Sequence, residues 1–375
     1  MAKVKRLKLK GSVIQVLKII GVILVICLAI FIFYRSQVKS LTSIGYSEKA
    51  SNVILFSMKK DYALSKGENK TLNAAFESDD YKEEYLDNYS KINYHNHKNL
   101  IKNINSLIKR GYSNNHINII LSHGNDSDVT EFAKKDKVKY LEEFYYLDYA
   151  KIRYYDEYVE YSTTTGEDEE TTVLYINLGM DGEAYKDVEV VDEFSHTMLV
   201  NKYRKLDENF EPYDLSDVPD EYSARELQAS KMAIDAFIEM ADAAEKEDLG
   251  ILINYAYRSY NTQVELCEEY KNLYGQSYVD KYIPYPGHSE HQTGLALDIR
   301  SKTTSVFADS EEYKWVVENA HKYGFIMRFT NRGKNITGFK SEPWHVRFVG
   351  KTASEYIYKH KITYEEYYAM FVDLD

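Results

Sequence analysis

The sequence predicts a chain of mixed helix and strand carried on one membrane-crossing helix. Three observations predict it. Residues 13–34 are almost wholly apolar; apolar residues recur at spacings of three and four through 44–158 and again after Ser223; and strict alternation appears at 295–300 and 345–348. A length of 375 residues suits about two folded units. With 44% apolar and 28% charged residues the composition is that of a globular protein. A net charge of −12 disfavours a broad phosphate-binding surface, so no nucleic-acid partner is expected. The only cysteines are Cys27 and Cys267, which excludes a disulfide framework and a Cys-based zinc cluster.

The first element follows from the start of the chain. Residues 1–12 form a basic tail holding Lys3, Lys5, Arg6, Lys8 and Lys10 and no acid. Residues 13–34, interrupted by Gln15 and Lys18, are long enough to cross a hydrocarbon core of about 30 Å. A cleavable signal peptide is the rival, but its apolar region would be about 7–15 residues long and a small-residue cleavage site would follow. Here Phe33-Tyr34-Arg35-Ser36 follows instead. The reading is an uncleaved single-pass anchor in the cell membrane, with a cytoplasmic N-terminus and an extracellular remainder. Residues 1–34 carry six Lys or Arg and no acid, so −18 falls on that remainder.

Residues 44–158 read as a degenerate helical repeat. Gly45-Tyr46-Ser47 recurs as Gly111-Tyr112-Ser113, and Asn52-x-Ile54-Leu55 as Asn118-x-Ile120-Leu121. Ser47 and Ser113 suit helix N-caps. Further on, Tyr89-x-Lys91-Ile92-x-Tyr94 matches Tyr149-x-Lys151-Ile152-x-Tyr154. Tyr is dense here, and aromatic side chains either build a sugar-binding platform or pack a core while their hydroxyls reach water. Residues 160–170 read as a solvated loop, and 172–179 as a strand within a strand-rich segment, 171–198. A polar lead-in with Pro212 and Pro219 occupies 199–221. Ser223-Ala224-Arg225-Glu226 has capping-box spacing before an apolar stripe that includes Ala229, Ala233, Phe237, Met240 and Ala244, and this opens a C-terminal domain at 222–375.

The chemistry concentrates in 250–350. A buried strand at 251–257 leads to Arg258 and a helix at 265–273. On the alternating run 295–300, Asp298 is an acid on a strand whose other face is oily; His345 opens a second such run with Arg347 on its own face. A catalytic zinc commonly takes three N or O ligands and leaves a fourth position for water. His291 or His288, with Asp298 and His345, would supply such a set if the two strands are neighbours, and spacing does not choose between His288 and His291. Glu342 precedes His345 by three. A turn at Pro343-Trp344 would bring it beside a metal-bound water, whereas without one it would be free to pair with Arg347. Arg258 would stabilise charge developing on a substrate oxygen.

The segments SEHQTGLALD and ITGFKSEPWHVRFVG, preceded by YRSYNTQ, resemble the VanY-like D-alanyl-D-alanine carboxypeptidases, within the zinc peptidase superfamily shared with Hedgehog and lysostaphin-type folds. The resemblance covers about 222–362. It implies an α+β domain with an antiparallel sheet, helices on one side and a metal cleft on the sheet. It implies Zn2+ held by His291, Asp298 and His345, Glu342 as the catalytic base and Arg258 polarising the substrate carbonyl. Ser289 and Gln263 match positions that hold the substrate. The implied partners are peptidoglycan stem peptides. Arg258, Arg328, Arg332 and Arg347 would supply positive charge near a carboxylate-bearing substrate. The segment LVNKYRKLDENFEPYDL is similar to the lead-in of anchored members and implies packing on the peptidase core. Within the same chemistry an L,D-carboxypeptidase or endopeptidase shares these motifs, and a non-catalytic wall-binding zinc module is the alternative from another class.

Overall fold

The computed structural model describes residues 11–372. The basic tail, 1–12, lies outside the described residues except for the backbone of its last two. The chain divides into two compact units between Tyr145 and Tyr146.

The first unit opens on a helix, Gly11–Thr42. Its large apolar side chains from Val13 to Phe33 are exposed all round, and it is long and apolar enough to cross a membrane. Only near its end does it join a protein core: Val38 and Leu41 are buried, and the Tyr34 hydroxyl donates to Asn52 at 2.7 Å. The Gly-Tyr-Ser repeat is a repeated helix corner. The amides of Tyr46 and Tyr112 reach back to the carbonyls of Leu41 and Leu107 at 3.3 and 3.1 Å. Gly45 and Gly111 sit at φ +103° and +86°, the region that favours glycine. Ser47 and Ser113 then cap the helices Glu48–Phe56 and Asn114–Ser122, accepting from Ala50 and His116. A corner of the same kind, invisible in the sequence pattern, closes the helix Glu169–Asn177 in the second unit: the Met180 amide donates to the Tyr175 carbonyl past Gly179 at φ +61°. The Tyr89/Tyr149 match is not the structural equivalence. Tyr89 corresponds instead to Tyr158, since each hydroxyl accepts from the amide seven residues earlier, Lys82 or Lys151, and donates to a buried Asn, Asn105 or Asn177. The division after Tyr145 thus falls inside the 44–158 stretch.

In the second unit several local expectations give way. The helix Tyr155–Thr165 takes up half of the loop expected at 160–170 and ends on Gly166 at φ +75°. Residues 172–179, expected as strand, are helical within Glu169–Asn177. Asp168 caps that helix by accepting from the Thr171 amide at 2.8 Å, and Leu174 and Leu178 pack with Ile357 and Tyr364. A cap and a buried face outweigh the modest strand preference of Thr172, Val173 and Ile176. The 171–198 segment holds one short strand, β1 (Glu189–Val191), parallel to β2 (Arg204–Leu206). The helix expected from Ser223 begins only at Lys231 and runs to Glu245. The residues before it form β4 (Gln228–Ser230), antiparallel to β3 (Leu215–Asp217), and the Ser223 hydroxyl turns to the Arg225 carbonyl instead of capping. The lead-in is tied to the domain: the Leu206 amide donates to Gly287, and the Gln292 side chain donates to the Asp207 and Phe210 carbonyls.

The main sheet is antiparallel, with β5 (Ile251–Tyr255), β6 (Ala296–Ser301), β7 (Phe325–Met327) and β8 (His345–Phe348) in the order β5-β6-β8-β7. Alternation assigns its faces. Ile253, Leu297, Ile299 and Val346 enter a core with Phe237 and Met240 of the Lys231–Glu245 helix and with Trp315 of Glu311–Asn319. Asp298, His345 and Arg347 are left on the opposite face.

Candidate active site

Asp298 and His345 are direct partners in the β6–β8 register. Such partners share a face with Cβ atoms about 5 Å apart, and His345 Nδ1 lies 3.0 Å from Asp298 Oδ1. His291 comes from a single 3-10 turn, Glu290–Thr293, just ahead of β6. Ser289 caps this turn and Gly294 closes it at φ +67°. His291 Nε2 stands 3.5 Å from the same Asp298 oxygen. One ligand atom from each of the three residues lies within 4.8 Å of the others.

The donor chemistry suits a metal ion. His291 Nδ1 sits 2.7 Å from the Ala256 carbonyl, which makes it the protonated nitrogen and leaves the Nε2 lone pair facing Asp298. Burial also pushes the His291 ring below its ordinary pKa, towards the neutral form that ligates. His345 Nε2 rests 3.3 Å from Glu290 Oε2, freeing Nδ1. A carbonyl or carboxylate behind each ligating ring is the usual orienting partner of a metal-bound histidine. Two nitrogens and one carboxylate oxygen therefore fit zinc with a fourth side open to the cavity.

The structure separates His288 from His291. His288 Nδ1 contacts the Asn201 carbonyl at 2.8 Å, its ring meets Tyr185 edge-on, and it is not among the three clustered residues. Glu342 reaches the cluster through a turn over Pro343-Trp344: the His345 amide donates to the Glu342 carbonyl at 3.1 Å, and Glu342 Oε2 comes within 3.8 Å of His345 Nδ1. Burial raises the Glu342 carboxyl above its ordinary pKa. It does not pair with Arg347. The Arg258 amide donates to the His291 carbonyl at 3.2 Å, and its guanidinium donates to Gln263 Oε1 at 2.8 Å. Gln263 stands behind this arginine: it is 1% exposed, and its NH2 group donates to the Pro284 carbonyl at 2.7 Å. Both ends of its amide are thus engaged, one by Arg258 and one by Pro284. Ser289 accepts from the His291 amide. Arg258, Ser289, His291, Asp298, Glu342 and His345 all line one cavity of about 470 Å³.

Two of the four arginines expected to face the substrate are buried beneath the site. Arg328 donates to Glu290 at 2.8 Å and, with both terminal nitrogens, to Glu365 at 3.0 and 2.7 Å. Arg347 donates to Glu290 at 3.2 Å and to the Met198 carbonyl at 2.8 Å. Arg332 lines a different cavity. Glu290 and Glu365 escaped the sequence reading; the one available signal was Arg347, an arginine sharing the oily-flanked strand face of His345.

Asp298 and His345 on an antiparallel sheet and His291 in the turn just ahead of it, overlooked by a carboxylate and an arginine, define a metallopeptidase-type site. Residues 226–351 match the family model of VanY, D-alanyl-D-alanine carboxypeptidase. The chain is 33% identical over 177 residues to VanXYC of Enterococcus gallinarum, a bifunctional D-Ala-D-Ala dipeptidase and D-Ala-D-Ala carboxypeptidase, covering 45% of this chain and 92% of that one. The chain belongs to the VanY family. It is also 41% identical over 180 residues to YodJ of Bacillus subtilis strain 168, a carboxypeptidase by provisional assignment, covering 45% of this chain and 66% of YodJ. A solved structure of the LD-carboxypeptidase LdcB aligns with a TM-score of 0.47 and 37% identity over 50% of this chain and 92% of that one. The chain spans about half to two thirds of the length of the first curated relatives it matches.

Proposed function

We propose that this chain is a zinc-dependent D-alanyl-D-alanine carboxypeptidase that removes the terminal D-alanine from peptidoglycan stem peptides outside the membrane. The observation that carries the reading is the convergence of His291, Asp298, His345, Glu342 and Arg258 on one cavity. A zinc ion held by His291 Nε2, Asp298 and His345 Nδ1 would supply Lewis acidity, lowering the pKa of a water to about 7 and polarising a carbonyl. Glu342 takes the proton of the attacking water at a carboxylate oxygen and returns it to the leaving amine. Arg258, held by Gln263, offers its remaining N–H groups to the oxygen on which negative charge develops. The exposed N-terminal helix, with its basic leader, supports an uncleaved anchor with the second unit on the extracellular side.

The test uses the full chain in detergent with stem pentapeptide and tetrapeptide, reading released D-alanine. Release from pentapeptide, abolished by a chelator and restored by zinc, is expected. Chelator-insensitive release, or none from zinc-loaded protein, overturns the reading, and release from tetrapeptide alone moves it to an L,D-carboxypeptidase. Glu342→Gln should keep zinc and lose roughly 10²–10⁴-fold in turnover; full activity would remove Glu342 as the base.

A further inference from the structure

The site uses few of the chain's 36 tyrosines. Four of them, Tyr270, Tyr274, Tyr278 and Tyr282, stand at strict intervals of four along the helices Tyr260–Tyr274 and Gln276–Tyr282, which are joined at Gly275 with φ +87°. Their rings pack into one cluster. Successive centroids are 5.8, 4.8 and 4.8 Å apart, and Tyr270 and Tyr278 stack at 6.0 Å with planes 14° apart. The cluster reaches the surface: Tyr274 and its neighbour Leu273 are each 61% exposed, while Tyr270, Tyr278 and Tyr282 are half-buried. At one end Lys340 lies 4.4 Å over the Tyr282 ring and donates to its hydroxyl at 3.1 Å. Tyr270 and Tyr282 also line the catalytic cavity, so the cluster borders its mouth.

Stacking within a helix stabilises isolated helices modestly. It does not explain the place of the cluster beside the cavity. An aromatic strip that joins a cavity to the exposed Tyr274 and Leu273 offers a binding surface. We propose that this strip binds the sugar rings of the glycan strand that carries the stem peptide, with the peptide leading into the cavity; this rests on the cavity's taking a stem peptide. The C–H face of a pyranose ring is apolar and matches an aromatic face, while its hydroxyl and amide edge meets the phenol groups and water. Neighbouring charges are of both signs, Glu269 and Asp280 beside Lys271 and Lys281, which suits a neutral sugar better than an ionic ligand. Continuity with the cavity selects the polymer from which the stem peptide hangs.

The test compares full-length Glu342→Gln protein with the same protein also carrying Tyr274→Ala and Tyr278→Ala, in detergent, on immobilised glycan strands stripped of their peptides. Retention should weaken about tenfold, the scale of removing two aromatic anchors, whereas a Tyr274→Phe/Tyr278→Phe pair, which keeps the ring faces, should retain binding. Equal retention by the alanine and parent proteins, with both folded by thermal unfolding, overturns the proposal. In the active chain, the alanine pair should leave kcat/KM on sugar-free pentapeptide unchanged and lower it on disaccharide-pentapeptide; an equal loss on both substrates also overturns it. Failure of the parent enzyme to release D-alanine would overturn the catalytic reading alone, since glycan retention is read without turnover.

Discussion

His345 is gripped at both ends of its ring, by Asp298 at Nδ1 and by Glu290 at Nε2. Glu290 is held in turn by two buried arginines, and Glu365 on the C-terminal helix Tyr364–Phe371 balances the second positive charge. Two acids and two arginines therefore sit nearly dry beneath the cluster. Removing one member leaves an uncompensated buried charge, which costs about 3–5 kcal/mol. Glu290→Gln should lower the thermal unfolding midpoint and also weaken zinc retention about 10–100-fold in a chelator competition, the usual effect of losing a partner behind a ligating histidine. Wild-type zinc affinity in that variant would show that Glu290 does not orient His345. Arg347 was legible as a companion of His345 because strand alternation puts them on one face. Its true partner was not, because Glu290 lies in a turn whose side-chain directions no periodicity specifies.

At the scale of elements, the turn that presents His291 depends on a glycine. Gly294 sits at φ +67°, and a Cβ there would come 2.9 Å from the Ser230 amide nitrogen, where β4 leads into the Lys231–Glu245 helix. Gly166, at φ +75°, has open space around the same position. Ala at either site pays the left-handed backbone penalty of about 1–2 kcal/mol. Gly294→Ala should be more destabilising than Gly166→Ala in chemical denaturation, because backbone has to move to admit the methyl group; equal losses would remove the close approach as the reason for glycine. The elements themselves were unevenly legible. The alternating runs became β6 and β8, and Ser47 and Ser113 became caps, since both signals are local. Residues 172–179 were misread as strand because the β-branched residues there carry only a weak preference, which Asp168 and the packing of Leu174 override.

At the scale of the whole chain, the Gly11–Thr42 helix is apolar around its full circumference over the stretch that would lie in lipid, and it acquires buried residues only at Val38 and Leu41. A soluble fold would have covered that surface. Tagged protein expressed in a bacterial host should stay in the membrane fraction with residues 1–34 intact by N-terminal sequencing; a mature N-terminus near residue 35 would identify a cleaved signal instead. Retention as an anchor would hold an extracellular portion of net charge −18 close to the membrane. The local positive charge at the cavity then rests on Arg258, since Arg328 and Arg347 are neutralised within the network below.

The sequence by itself determined the long apolar N-terminal segment, the sheet strands that bear Asp298 and His345, and, once the family resemblance was joined to them, the three residues that cluster. These features are written in composition, in a period of two and in contiguous motifs, none of which needs distant residues to be near one another. Tertiary structure alone decided that His288 is held by the Asn201 carbonyl, that Gln263 stands behind Arg258, and that Arg328 and Arg347 are buried against Glu290 beneath the His291–Asp298–His345 cluster. The reason is physical. A buried polar side chain takes whichever partner the fold brings within hydrogen-bond reach, and for these residues that partner lies on another element.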